Sequence, residues 1–184
     1  MTRFKLEGGL YIAGFIASIP MANWMIGNVG TFCVPEGPCL IPVAPGLTAP
    51  SAVLMVGLAL VLRDLVQRRL GKAWAIVAIF AGALVSYFVA PPAIVIASVT
   101  AFLLSELADF AVYTPLQERR LITAVVASSL AGLITDSMVL IYLTFGSLDY
   151  LGGQIVGKAW MVLLAIPVIW WIRNRDKSLD IQPA

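Results

Sequence analysis

The chain has 184 residues, of which 60% are hydrophobic and only 12% are charged, and it contains no histidine. A water-soluble domain of this length could not cover so much apolar surface, and long stretches free of charge are typical of membrane spans. The composition therefore excludes a soluble globular enzyme and predicts an all-α, polytopic membrane protein. The net charge of +2 gives no indication of nucleic-acid binding.

The N-terminal segment is the first predicted element. MTRFKLEGG runs into an apolar stretch of spanning length without the small-residue pattern at which a signal peptide is cleaved, so we expect this span to be retained. Further stretches long enough to cross the hydrocarbon core follow it, separated by proline, glycine and charged residues. Together they predict one domain over residues 1–184 with six spans, at 9–27, 48–68, 73–89, 92–111, 120–146 and 152–173.

The basic residues predict the orientation of these spans. Apart from Lys158, they precede the first span or lie at the ends of the second, fourth and sixth, which places them on one side of a six-span bundle. The opposite loops carry only two charged residues, Glu36 and Asp149. Because positive charge is enriched in cytoplasmic loops, both termini are predicted to lie in the cytoplasm. The eleven basic residues on this side are Arg3, Lys5, Arg63, Arg68, Arg69, Lys72, Arg119, Arg120, Arg173, Arg175 and Lys177.

The loop after the first span contains both cysteines, Cys33 and Cys39, in TFCVPEGPCL. Two thiols are too few for a structural zinc site, and a disulfide forms between them only if the loop faces an oxidising compartment. The sequence leaves the bridged and the free state equally open.

Catalytic signatures are missing from the chain. It has no P-loop, no HExxH, no GxSxG and no histidine pair that could bind a metal, so we predict neither a metal nor a cofactor. A small membrane bundle without catalytic machinery is most simply a transporter. An intramembrane enzyme is a weaker alternative, because the acid pair Glu106 and Asp109 has no nucleophile or metal ligand beside it in the sequence.

Two ionisable residues lie well inside the predicted spans. At about 1.5 Å per residue, Asp136 lies roughly 14 Å and Lys158 roughly 9 Å from the outer ends of their helices. A buried charge is costly and usually faces the interior of the bundle. We therefore predict an ion pair between Asp136 and Lys158, and a role for Asp136 in function.

A second group of charges lies nearer the cytoplasm. Glu106 and Arg63 lie roughly 21 and 22 Å from the outer ends of their helices, so they are predicted to meet near the cytoplasmic interface. Asp64 and Asp109 lie slightly further toward the cytoplasm, where snorkelling makes a charge less costly. For Glu106, ligand contact and structural pairing remain open, whereas ion pairing that fixes the helix register is favoured for Asp109.

Four quoted segments, which together cover most of residues 47–167, carry a family resemblance. They are LTAPSAVLMVGLALVLRDLVQRRLG, SELADFAVYTPL, SSLAGLITDSMVLIYLTFG and GQIVGKAWMVLLAIP. In this order they resemble the queuosine precursor transporter family, also called the vitamin uptake transporter family. The family pattern has a glutamine three residues before the later aspartate, where this chain has Leu133.

The resemblance implies a six-helix importer of 7-cyano-7-deazaguanine or a related deazapurine, working by alternating access in the cell inner membrane. Its architecture would be similar to that of the substrate-binding subunits of energy-coupling-factor vitamin transporters. A binding subunit that needs a separate energising module is the alternative. Membrane lipid is the other expected partner, and apolar faces with small residues also allow a homodimer.

The chemistry of a deazaguanine selects the candidate binding residues. Its ring N–H and exocyclic amine are adjacent donors that one carboxylate can meet with both oxygens, while its carbonyl needs a donor and its flat ring an aromatic face. Each tryptophan also has the alternative role of an interfacial anchor. The predicted substrate-binding residues are Asp136, Glu106, Asp109, Lys158, Gln154, Asn23, Trp24 and Tyr113.

Overall fold

The computed structural model describes residues 2–33, 38–92, 94–146, 148 and 151–179. Glu36 and Asp149 lie outside the described residues. Within the described part of the chain the predicted helical fold is confirmed. The helices are α1 (Thr2–Asn28), α2 (Val53–Leu70), α3 (Lys72–Val89), α4 (Val95–Leu116), α5 (Leu121–Phe145) and α6 (Leu151–Ser178).

Several helices extend beyond the predicted spans. The first helix begins at Thr2 rather than at residue 9, the fourth continues to Leu116 rather than ending at 111, and the sixth continues to Ser178 rather than ending at 173. Apolar runs mark the part of a helix that crosses the hydrocarbon core, whereas charged and polar residues continue the same helix into water. The predicted boundaries therefore describe the apolar portions and not the helix ends.

The surface of the bundle has the polarity expected of a membrane protein. Large apolar side chains point outward, among them Phe88 and Ile96, which are 74% and 78% exposed, while polar and charged side chains are buried between the helices. Five of the described helices, α1 and α3 to α6, are long and apolar enough to cross a membrane. The chain is therefore a multi-pass membrane protein.

Helix α2 is not among these five, and its second half carries Arg63, Asp64, Arg68 and Arg69. It is nevertheless the central helix, packed against α1, α3, α4, α5 and α6, and its second half is almost fully buried. Gly57 lets α2 approach α6 so closely that a Cβ at this position would clash with the backbone carbonyl of Lys158. The bundle is thus built around a helix whose second half carries four charged residues.

A three-stranded antiparallel sheet joins α1 to α2, where the sequence predicted only a loop and the start of a helix. It consists of β1 (Phe32–Cys33), β2 (Cys39–Ala44) and β3 (Leu47–Pro50), in that order. The predicted second span is therefore wrong at its start, because residues 48–50 form a strand and the helix begins at Val53. Prolines in this segment disfavour a helix, and Gly46 adopts a φ of 73° in the turn between β2 and β3.

The sheet is fixed to the ends of α1 and α6. Cys33 and Cys39, paired in the ladder between β1 and β2, form a disulfide. Trp160 on α6 donates a hydrogen bond from Nε1 to the carbonyl oxygen of Val43 at 2.7 Å. The hydroxyl of Ser51, directly after β3, donates to the carbonyl oxygen of Met25 on α1, also at 2.7 Å. The sheet consequently covers one end of the bundle.

Candidate functional site

A cavity of about 110 Å³ lies between α1, α2, α3, α4 and α5. Ala52, immediately before α2, and Ile26, near the end of α1, contribute to its wall, so the cavity lies toward the end of the bundle that carries the sheet. Its polar lining consists of Ser18, Asn23, Ser86, Ser98, Ser105, Glu106 and Asp136. Two carboxylates from different helices therefore face the same cavity.

Glu106 on α4 forms an ion pair with Arg63 on α2, which lies outside the cavity lining. The Nε atom of Arg63 donates to Oε2 of Glu106 at 3.1 Å, and Nη2 donates to Oδ1 of Asp109. The guanidinium also lies 5.9 Å from the ring centroid of Phe110 and 5.8 Å from that of Tyr113. Because Glu106, Asp109 and Tyr113 are three or four residues apart, the α-helix presents all of them on one face.

Asp64 and Asp109 do not reach the interfacial water that snorkelling requires. Both side chains are completely buried, and the hydroxyl of Ser128 on α5 donates to Oδ2 of Asp64 at 2.9 Å. The expectation that these two side chains snorkel to water is therefore wrong, whereas the favoured ion pairing is present, with Arg63 as the partner of both. The depth estimated from the sequence counts residues along the helix axis, so it carries no information about neighbouring helices. It therefore did not show that α2 lies at the centre of the bundle, where other helices surround it.

Asp136 on α5 and Lys158 on α6 form the predicted ion pair. Nζ of Lys158 lies 2.5 Å from Oδ2 of Asp136 and donates a second hydrogen bond to Oγ of Ser137 at 2.7 Å. Lys158 is 1% exposed and does not line the cavity, whereas Asp136 does. Lys158 thus neutralises the carboxylate of Asp136 from a position outside the cavity lining.

The other predicted binding residues have different surroundings. Asn23 lines the cavity and donates from Nδ2 to the carbonyl oxygen of Ile19 at 3.0 Å. Tyr113 is buried beside Arg63, and Gln154 is buried outside the cavity lining. Trp24 is 55% exposed on the outside of the bundle, as expected of an interfacial anchor.

Several lining residues were not predicted from the sequence. Ser98, Phe102 and Ser105 line the cavity from one face of α4, at spacings of four and three residues. This helical periodicity of polar residues in an apolar segment was the available signal. Leu133, at the position where the family pattern has a glutamine, is buried in the hydrophobic core and is not part of the cavity lining.

A multi-pass bundle with a small, mainly apolar cavity that two carboxylates face, and with charges paired inside the protein, has the organisation of a membrane transporter. The family comparison agrees. A family model described as "Putative vitamin uptake transporter" matches residues 75–172, which is just over half of the chain, and the chain belongs to this family. The match includes Glu106, Asp109, Asp136 and Lys158. No curated protein and no solved structure matches the chain.

Proposed function

We propose that this protein imports a deazapurine precursor of queuosine, 7-cyano-7-deazaguanine or a close relative, by alternating access. The observation that carries the proposal is that Glu106 and Asp136 line one cavity, each with a cation on its far side. Hydrogen bonds from the described residues reach Oε2 of Glu106 and Oδ2 of Asp136, which leaves Oε1 and Oδ1 as acceptors for cargo. The resemblance of the sequence to the queuosine precursor transporters supports this choice of cargo.

The lining matches the donors and acceptors of a deazaguanine. One carboxylate accepts from the ring N–H and the exocyclic amine together, since each carboxylate oxygen has two lone pairs. Hydroxyl groups such as those of Ser98 and Ser105 can donate to the ring carbonyl, and Phe102 offers a flat apolar face. Lys158 neutralises Asp136 from outside the cavity, and Arg63 forms an ion pair with Glu106, so each cavity carboxylate has a cation beside it when a neutral cargo binds.

The size of the cavity restricts the cargo to a small molecule. Pockets for drug-sized ligands measure about 300–1,000 Å³, and this cavity measures about 110 Å³. A free fused-ring base is therefore favoured over a nucleoside, whose sugar would require a much larger space. We expect the cavity to widen when cargo enters and to close around the ring afterwards.

Ion pairs close the end of the bundle opposite the sheet. Asp176 on α6 accepts hydrogen bonds from Arg68 at 2.8 and 2.9 Å and from Arg69 at 2.7 and 3.1 Å. Glu7 on α1 accepts from Arg69 at 3.0 Å and from Arg175 at 2.6 Å. In the proposed orientation the protein lies in the inner membrane with both termini in the cytoplasm, and α2 crosses the membrane together with the other five helices. This network of ion pairs then separates the cavity from the cytoplasm.

The proposal is tested by the queuosine content of transfer RNA. The assay uses a strain that can neither synthesise nor import the precursor, expresses this chain and receives nanomolar 7-cyano-7-deazaguanine. We expect restoration by the unaltered chain and none by Asp136→Asn. No restoration despite normal membrane expression would contradict the cargo. Restoration only with an added energising module would instead favour the accessory-subunit alternative.

A further inference from the structure

Three carboxyl groups surround a single guanidinium in the middle of the bundle. Glu106 is 2% exposed, and Arg63, Asp64 and Asp109 are completely buried. Nη1 of Arg63 lies 3.0 Å from Oδ1 of Asp64, so all three acids contact the same cation. Three ionised carboxylates would leave buried negative charge that one arginine cannot neutralise, and such charge is costly.

Two oxygens of this cluster accept no well-aligned hydrogen bond from the described residues. Oδ1 of Asp64 and Oδ2 of Asp109 are buried without a hydrogen bond from any described residue, and both side chains contact the guanidinium of Arg63. Ionised carboxylates only accept hydrogen bonds, whereas a protonated carboxyl group also donates one. A single proton held by the pair would satisfy both oxygens and reduce the excess negative charge, as in other paired carboxyl groups.

We propose that Asp64 and Asp109 form a proton-binding site that couples proton movement to the import of cargo. This inference rests on the proposed function, because the coupling needs a transported cargo. The titratable groups around the pair are Arg63, Glu106 and Tyr113, with Arg68 and Asp136 further away. The proton enters from the cavity, is held between the two carboxyl groups, and leaves on the cytoplasmic side as the cargo is released.

Neighbouring side chains provide a polar route on both sides of the pair. Glu106 belongs to the cavity lining and to the Arg63 cluster, so it joins the two. Toward the other end of α2, Nη1 of Arg63 donates to Oε1 of Gln67 at 3.4 Å, and Nε2 of Gln67 donates to Oγ1 of Thr114 at 3.0 Å. Arg68, one residue further along, belongs to the ion-pair network that closes the cytoplasmic end.

Infrared spectroscopy of the purified full-length protein tests the proton without any cargo. We expect the carbonyl stretching band of a protonated carboxyl group at neutral pH. Asp64→Asn and Asp109→Asn should each remove it, because the new amide supplies the missing donor. Glu118→Gln, which changes an exposed carboxylate, should retain it. Absence of the band from the unaltered protein overturns the proposal.

Transport by reconstituted vesicles tests the coupling. Vesicles containing the protein and a pH-sensitive dye receive 7-cyano-7-deazaguanine outside, and cargo uptake and internal pH are followed together. We expect internal acidification with uptake, and accumulation driven by an inside-negative potential. Both should be lost in Asp64→Asn, while exchange of labelled cargo continues. Uptake without acidification overturns the coupling. If the unaltered protein moves no cargo, the proposed cargo is wrong, and the infrared band alone decides the proton site.

Discussion

Lys158 and Asp136 are joined across the interface of α6 and α5 by a buried ion pair, yet only the aspartate faces the cavity. This asymmetry separates two tasks. The carboxylate is available to a ligand, and the ammonium group compensates its charge from a position that cargo does not reach. Stability and transport should therefore respond differently when the two residues are changed singly and together.

The first prediction concerns this pair. Asp136→Asn leaves Lys158 as a buried, uncompensated cation, which should cost about 3–5 kcal/mol of stability and abolish uptake. Adding Lys158→Met removes that charge and should recover most of the thermal stability in detergent without recovering uptake. The measurements are the unfolding midpoint of each purified variant and cargo accumulation in cells. Normal uptake by the double variant would remove Asp136 from the binding site.

The second prediction concerns Glu106. Glu106→Gln replaces one acceptor oxygen by a donor, so it should lose a charge-assisted hydrogen bond to the cargo worth about 1.5–3 kcal/mol. That loss corresponds to roughly a 10- to 100-fold weaker apparent affinity for uptake. Glu118→Gln is the matched control, because Glu118 is exposed beyond the end of α4. Equal uptake kinetics for both variants would show that cargo does not contact Glu106.

The spacing of charges in the sequence predicted part of this site. Glu106 and Asp109 lie three residues apart, so a shared helix face followed directly, and charge complementarity within reach of Arg63 predicted their pairing. The shared cluster with Asp64 was not predictable in the same way. It depends on α2 being surrounded by five helices, and hydropathy argues against that position because α2 carries four charges.

The serines and the sheet were missed for a different physical reason. A serine in an apolar helix usually bonds to its own backbone, as Ser105 does to the carbonyl oxygen of Phe102 at 2.9 Å, so its residue type alone does not indicate a cavity. Strand pairing such as that of Ile41 with Ala49 depends on partners outside the local pattern. Local sequence patterns thus predicted the helices, whereas the cavity lining and the sheet depend on contacts between residues that are distant in the sequence.

The third prediction concerns the disulfide. Closing a loop of this size should contribute roughly 2 kcal/mol by restricting the unfolded chain. Changing Cys33 and Cys39 to serine should therefore increase hydrogen exchange in β2 and β3 while uptake remains, because neither cysteine lines the cavity. In intact cells, a membrane-impermeant thiol reagent should label the unaltered protein only after reduction. Labelling without reductant would show that the bridge does not form.

The last prediction concerns the contact between α2 and α6. A methyl group at Gly57 would collide with the backbone carbonyl of Lys158 and touch the side chain of Met161, so the two helices would have to separate. Gly57→Ala should cost about 1–3 kcal/mol by overpacking and also reduce uptake, because it displaces the residue that neutralises Asp136.

Gly9→Ala is the matched control, since Gly9 lies in α1 with open space around it and alanine favours a helix. Thermal unfolding in detergent and uptake in cells should both fall for Gly57→Ala and stay unchanged or improve for Gly9→Ala. A Gly57→Ala variant as stable and active as the unaltered protein would contradict the close approach of α2 and α6.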